Sequence, residues 1–396
     1  MKRILITTQS MEIGGVERSL IGLLEALKSE DVSVDLFVMK HGGAFERYLP
    51  DWIHLLPENR VCSCLTTPGI ETLKNGELLL LFKRYLAKKK AQRYVAENQL
   101  QDNQIYLTYS HQMLFTDFPE LGKEEPYDLA ISFLGPHYLT AYKVSARKKA
   151  AWIHTDYSQI GLDREEDLKV YREFDYLVGV SQSVCNSFTS VFPELDGKVR
   201  VIENTLPAEM ISNSAKEETP DSFEAEKINL LSIGRFCYAK NFENVPKICA
   251  SLCQKGLDVH WYLIGYGGMQ QEIEDQIREW KMNDRVTILG KKDNPYPYLL
   301  NCDVYVQPSR YEGCAVSVRE AQMLEKPVVI TSFNTANSQV EDGVDGLILP
   351  YDLDDFADRL AVELQNNDRL KRLAENCKKH DYSNRNEAKK IMELIQ

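Results

Sequence analysis

The two carboxylates of Glu312-Gly-Cys-Ala-Val-Ser-Val-Arg-Glu320 are the residues of this chain best placed to do chemistry. The apolar stretch 303–307 before them reads as a strand and 315–324 as an amphipathic helix. Glu312 then falls in the turn between them, and Glu320 lies about two turns along the helix. The first amides of such a helix have no intrahelical acceptor, and the helix dipole adds partial positive charge, so the turn suits a phosphate. A carboxylate beside a phosphate cannot be there to hold it. It accepts hydrogen bonds from hydroxyls, as on a sugar or a ribose. Taken alone, the better reading is a carboxylate favoured by a helix start plus a solvated glutamate. Three further motifs decide against that and toward a sugar nucleotide.

Gly234-Arg235 follows an apolar run at 228–233, with Lys240-Asn241 five residues on. Cations at the carboxyl end of a central strand stand where open α/β sheets bind ligands. An arginine forks onto phosphate and a lysine adds a point charge, so together they neutralise a departing diphosphate. Gly14-Gly15 lies between a strand and a helix. Close approach of backbone to a ligand and a plain tight turn explain it about equally well. The spacing is not G-x-G-x-x-G, so the dinucleotide fingerprint is absent. Trp152-Ile-His154-Thr-Asp156 ends another strand, which gives His154 a catalytic or substrate-positioning role. His111 and His137 have no such context and read as structural or surface residues.

Short apolar runs alternate with helical-period segments throughout, the pattern of parallel α/β sheets. Strands are expected at 3–8, 33–39, 129–133, 150–154, 176–180 and 199–202, then at 228–233, 259–264, 286–289, 304–307, 328–331 and 346–349. The polar, acidic stretch 207–226 reads as a linker. The expected architecture is α/β: two Rossmann-like doubly wound domains, 1–206 and 227–381, facing each other across a cleft. Residues 60–125 break the alternation and are expected to be a helical insertion. Within them, 78–95 is apolar on one side and basic on the other. Contact with an anionic membrane surface and a merely solvated face fit it about equally.

The chain has 396 residues, room for two or three domains. Its net charge of −12 argues against a nucleic-acid binder. Nine cysteines without a C-x-x-C pair, and an N-terminal Met-Lys-Arg leading straight into a strand, suggest a cytoplasmic protein. No apolar run approaches the ~20 residues that span a bilayer.

With these motifs in place, the chain resembles the retaining glycosyltransferase family 4 (glycosyl transferases group 1), of GT-B architecture. The resemblance rests on Gly-Gly-Val-Glu-Arg at 14–18, Gly-Arg…Lys-Asn at 234–241, Leu-Ile-Gly-Tyr-Gly at 263–267, and Gln-Pro-Ser-Arg-Tyr-Glu-Gly…Glu-Ala at 307–321 with Lys-Pro-Val-Val-Ile after it. It covers nearly the whole chain and is specific mainly in the second half. It implies that Arg235 and Lys240, beside Gly234 and Gly265, bind the donor diphosphate, helped by backbone amides near Gly313, Cys314, Ala315 and Val316. Glu312 would bind the hydroxyls of the transferred sugar, Glu320 the ribose, and the segment around Leu289 the base. His154 would lie beside the reacting sugar, and Gly14 and Gly15 would approach the donor from the other domain. Val-Ile-Glu-Asn204 resembles the family's domain-closing segment, and a last helix in 382–396 would cross back to the first domain. Cys314 departs from the family, where a larger apolar residue is frequent.

The implied reaction is transfer of a hexosyl or N-acetylhexosaminyl unit from a nucleotide sugar, expected to be UDP-linked, to a lipid-linked or surface glycan, at the inner face of the cell membrane. No cofactor and no catalytic metal are expected. Asp352-Leu-Asp354 has the spelling of a metal motif, but it opens a helical stretch and reads as an N-cap. The alternative is a non-catalytic GT-B partner that binds a glycan or protein. Intact Arg235, Lys240, Glu312 and Glu320 argue against it.

Overall fold

The computed structural model describes all residues except 13, 70–71, 73–76, 101–103, 156, 158–159, 218–222, 225 and 313–314. It divides into two compact units, Met1–Pro207 with Asn384–Gln396, and Ala208–Ser383. Each is built on one parallel sheet.

The first unit carries β1 (Lys2–Thr8), β2 (Val32–Val38), β3 (His54–Leu55), β4 (Tyr127–Ser132), β5 (Ala146–Ile153), β6 (Tyr176–Gly179) and β7 (Val199–Val201). Their order in the sheet is β3-β2-β1-β4-β5-β6-β7. Ile4, Leu5 and Ile6 of β1 are fully buried, as a strand covered on both faces requires. Ile4 pairs with Val34 of β2 and with Leu129 of β4. The order reverses between β1 and β4, which makes their carboxyl ends the natural ligand site of this sheet.

The second unit carries β8 (Ile228–Ile233), β9 (Val259–Ile264), β10 (Val286–Gly290), β11 (Val304–Gln307), β12 (Val328–Thr331) and β13 (Leu347–Leu349). Their order is β10-β9-β8-β11-β12-β13, so its reversal lies between β8 and β11. Trp261, Leu263, Val304 and Val306 fill its core. Both sheets are those of the GT-B fold.

Most strand bounds fall within two residues of expectation, and two strands differ more. β3 is a two-residue edge strand with no room for a periodic signal. β5 starts four residues before the expected 150, because Arg147, Lys148 and Lys149 hide an apolar strand's beginning.

Between β3 and β4 come the helices Arg60–Cys64, Leu78–Asn98 and Ile105–Leu114. The last two pack through Ala87, Ala91, Ile105 and Tyr109. The stretch 207–226, read as a linker, contains the helix Ala208–Ser214, held in the second unit by buried Met210 and Ile211. The Phe223 ring packs, tilted, on Tyr262 at 4.5 Å between ring centres; residues 218–222 and 225 lie outside the described residues.

The last helix, Glu387–Leu394, belongs to the first unit and buries Ala388, Ile391 and Leu394 there. It is tied to the segment after β7, since the amide of Glu203 donates to Glu387 Oε2 at 2.8 Å. Asn204 Oδ1 in turn accepts from Ser19 Oγ at 2.7 Å on the first helix, Gly15–Leu27. Among the described residues, no helix is long and apolar enough to cross a membrane.

Candidate functional site

In the second unit the expected donor residues gather where the sheet reverses. The ends of three strands lie close together: the Gly234 amide donates to Ile264 O, and the Gly265 amide to Gly290 O, each at 3.0 Å. The approach is so tight that a Cβ on Gly265 would stand 1.8 Å from the carbonyl oxygen of Gly234. Glycine here is a packing requirement. Past Gly234 the chain makes a single 3-10 turn, Tyr238–Lys240, and leaves it through Asn241 in the left-handed region (φ 62°). Asn241 Nδ2 donates to Pro308 O at 2.9 Å, which fixes this turn to the exit of β11.

That anchoring delivers the Lys240 ammonium to Glu312. The Nζ–Oε1 distance is 2.5 Å, and the Lys240 stem passes over the bare face of Gly234. The same carboxylate oxygen accepts from Ser309 Oγ at 2.6 Å and from Gln307 Nε2 at 3.3 Å. The side chains of Lys240 and Glu312 are only 17% and 10% exposed. At such sites a charge–charge contact is stronger than in water. Arg235 is exposed, and its guanidinium has no partner among the described residues. Arg310, between the two motifs, is committed elsewhere: it pairs with Glu243 at 2.5 Å and lies over the Tyr238 ring.

The helix after the turn is Val316–Met323. The Ala315 amide, expected to help hold phosphate, donates here to the buried Gln339 Oε1 at 2.8 Å. The donor is occupied by a side chain twenty-four residues away, which no local pattern reveals. Gly313 and Cys314 lie outside the described residues. Glu320 is 1% exposed, and its Oε1 accepts from the Tyr296 hydroxyl at 2.9 Å. Leu289 sits at a bulge where the β9–β10 register shifts, and Gly290 follows in the left-handed region. Asp352 caps the helix Leu353–Leu364, accepting from the amides of Asp354 and Asp355 at 3.1 Å each.

In the first unit, Gly14 is the extended N-cap of the first helix and Gly15 its first residue. A Cβ on Gly15 would meet nothing within 4 Å. His154 follows β5 and lines a cavity of about 370 Å³ with Gln9, Gln104, Tyr106, Trp152 and Tyr157. Its Nε2 lies 2.9 Å from Phe133 O. A carbonyl only accepts, so Nε2 carries the proton and Nδ1 is the lone-pair nitrogen. Burial pushes the imidazole pKa down to about 4, so His154 is neutral at pH 7. His137, in the same cavity wall, is likewise buried, down to about 3, with Nδ1 2.8 Å from Ser132 Oγ. Its place here was not legible in the sequence. Neither were Gln104 and Tyr106, which come from the helical insertion.

The family described as glycosyl transferases group 1 matches residues 214–380. The chain is 29% identical over 151 residues to the alpha-D-kanosaminyltransferase of Streptomyces kanamyceticus, covering 37% of this chain and 39% of that protein. It is 25% identical over 186 residues to the N-acetylgalactosamine-N,N'-diacetylbacillosaminyl-diphospho-undecaprenol 4-alpha-N-acetylgalactosaminyltransferase of Campylobacter jejuni, covering 46% and 48%. The chain thus spans less than half the length of these curated relatives. Over 99% of both chains it resembles the crystal structure of Anabaena HepE in complex with UDP, with a TM-score of 0.60 at 18% identity. The cation–carboxylate pair at the β8/β11 reversal lies inside residues 214–380, the stretch that matches the glycosyl transferases group 1 family.

Proposed function

We propose that the chain is a retaining, metal-independent hexosyltransferase of glycosyltransferase family 4. It would move a hexosyl or N-acetylhexosaminyl unit from a UDP-linked donor to a hydroxyl of a lipid-linked or surface glycan. The observation that carries this reading is the Lys240–Glu312 pair at the carboxyl ends of β8 and β11, with Arg235, two residues past β8, unpartnered among the described residues. A diphosphate calls for two cations, and a sugar for a hydrogen-bond-accepting carboxylate. The UDP in HepE and the diphospho-undecaprenol in the name of the Campylobacter relative support the donor and the acceptor class.

In the proposed reaction the bond from the anomeric carbon to the diphosphate oxygen breaks, and charge builds on the leaving group. Arg235 and Lys240 stabilise it. The acceptor oxygen bonds to the anomeric carbon on the face the diphosphate leaves, and its proton passes to a leaving phosphate oxygen. Glu312 orients the sugar through its hydroxyls. His154 accepts a hydrogen bond from a hydroxyl through Nδ1 and positions it without taking its proton. Tests of this reading are thermal shift against UDP, GDP, ADP and their sugars, followed by NMR of the product. A UDP-selective shift and an α-linked product from an α-linked donor support it. A β-linked product overturns retention, and no shift with any nucleotide favours a non-catalytic partner.

A further inference from the structure

We propose that the outward face of the helix Leu78–Asn98 docks on an anionic lipid surface. Its inward face carries Leu80, Ala87 and Ala91, all buried. The opposite side, at i, i+4, i+7, i+8 and i+11, presents Leu78, Phe82, Tyr85, Leu86 and Lys89. Leu78, Leu79 and Phe82 are 65%, 66% and 57% exposed, and Leu86 is exposed beside them. Among the described residues these four are the only exposed leucines and phenylalanines. Scattered exposed apolar side chains are ordinary, but all the exposed Leu and Phe on one face of one helix are not.

The cations on this helix divide into paired and unpaired. Arg93 pairs with Glu97 on the helix itself, and three others are engaged elsewhere in the unit. Arg84 Nη1 donates to Cys64 O and Thr67 O at 2.6 and 2.8 Å, Lys83 pairs with Asp117, and Lys90 donates to Gln112 Oε1 at 2.8 Å. Lys88 and Lys89 are exposed and have no carboxylate partner among the described residues. Glu97 is the helix's only acidic residue, against six Lys and Arg, in a chain of net charge −12. An apolar end that can enter the headgroup boundary, followed by unpaired lysines within a turn or two, matches an anionic bilayer surface. A neutral partner would leave Lys88 and Lys89 without counter-charge.

The test is co-sedimentation of the full chain with phosphatidylcholine vesicles, with and without phosphatidylglycerol. Two double variants accompany it, Leu78→Ser with Phe82→Ser and Lys88→Glu with Lys89→Glu. All four positions are exposed, so the fold is expected to hold, and an unchanged UDP-induced thermal shift checks this. Binding only to phosphatidylglycerol vesicles, weakened at least about tenfold by each double variant, supports the proposal. Absence of binding to anionic vesicles overturns it, and so does equal binding to both vesicle types. A self-association lost in Leu78→Ser with Phe82→Ser also overturns it, because a second copy would then cover the face. Vesicle binding without any nucleotide shift overturns the transferase reading alone.

Discussion

Lys240 Nζ lies 2.5 Å from Glu312 Oε1, and Ser309 Oγ lies 2.6 Å from that same oxygen. The ammonium has three N–H donors, so its bond to Glu312 leaves donors for a diphosphate. The pair therefore links leaving-group stabilisation to sugar orientation. Lys240→Ala is expected to lower kcat/KM by about 10²–10³-fold, the usual loss when one electrostatic stabiliser is removed. Glu312→Gln should act mainly on kcat, because the amide keeps the place but changes the hydrogen bonds offered to hydroxyls. Steady-state kinetics on the two variants checks both. Unchanged kcat/KM in Lys240→Ala would remove the pair from the mechanism.

Arg235 provides the contrast. It is exposed and its guanidinium makes no hydrogen bond or ion pair among the described residues, so the fold is not expected to depend on it. Arg235→Ala should leave the melting temperature unchanged and weaken nucleotide-diphosphate binding by about tenfold, as loss of one charge-assisted contact does. Calorimetric titration with UDP measures it. A fall in stability together with unaltered affinity would mean a structural arginine.

The contrast also marks how far the sequence could be read. Residues Arg235, Lys240 and Glu312 were legible because each follows a mostly apolar, largely buried strand, and the ends of such strands are where α/β sheets place ligands. Lys240's partner could not be read, because the pair joins residues seventy-two apart and the Asn241–Pro308 bond that holds the turn spans sixty-seven. Gln339 on the Ala315 amide, and Gln104 and Tyr106 in the His154 cavity, were hidden for the same reason. Long-range side-chain packing leaves no period in the chain. The two-residue β3 was too short to show one, and the polar start of β5 masked its length.

Gly265 and Gly290 stand at hydrogen-bonded strand ends, yet alanine should affect them differently. On Gly265 a Cβ would collide with the Gly234 carbonyl at 1.8 Å, and backbone cannot yield cheaply. Gly265→Ala is expected to cost about 3 kcal/mol or more and to abolish donor binding. On Gly290 a Cβ meets nothing within 4 Å, so only the positive φ of 72° is penalised. That should cost about 1–2 kcal/mol. Urea unfolding of both variants gives the comparison, and equal losses would contradict it.

Asp352 is engaged with the amides of Asp354 and Asp355 as a helix cap. Asp352→Ala should cost about 1 kcal/mol of stability and leave transfer activity intact. Measuring activity with and without added divalent metal and chelator separates the two roles of an Asp-x-Asp sequence. Lost activity that metal restores would make it a metal site.

His111 is fully buried, neither ring nitrogen has a hydrogen-bond partner among the described residues, and its ring stands edge-on to Phe118. Burial pushes its pKa down to about 3, against about 6.5 in an unfolded chain. Above pH 6.5 neither state holds the proton, so this residue imposes no pH dependence there. Below pH 6.5 the unfolded chain takes up a proton that the folded unit refuses, and stability falls as pH falls. His137 and His154 act in the same direction. Asp167 acts in the opposite one, because burial and the neighbouring Asp163 and Glu166 raise it to about 7. Its folded state keeps a proton that the unfolded chain gives up between about pH 4 and 7, so stability gains as pH falls through that window. His111→Leu removes one histidine from this balance along with two unsatisfied polar atoms. The variant should gain about 2 kcal/mol more over the parent at pH 5 than at pH 8. Denaturant unfolding at the two pH values measures the difference, and an identical gain at both would mean that His111 is not refused its proton by the fold.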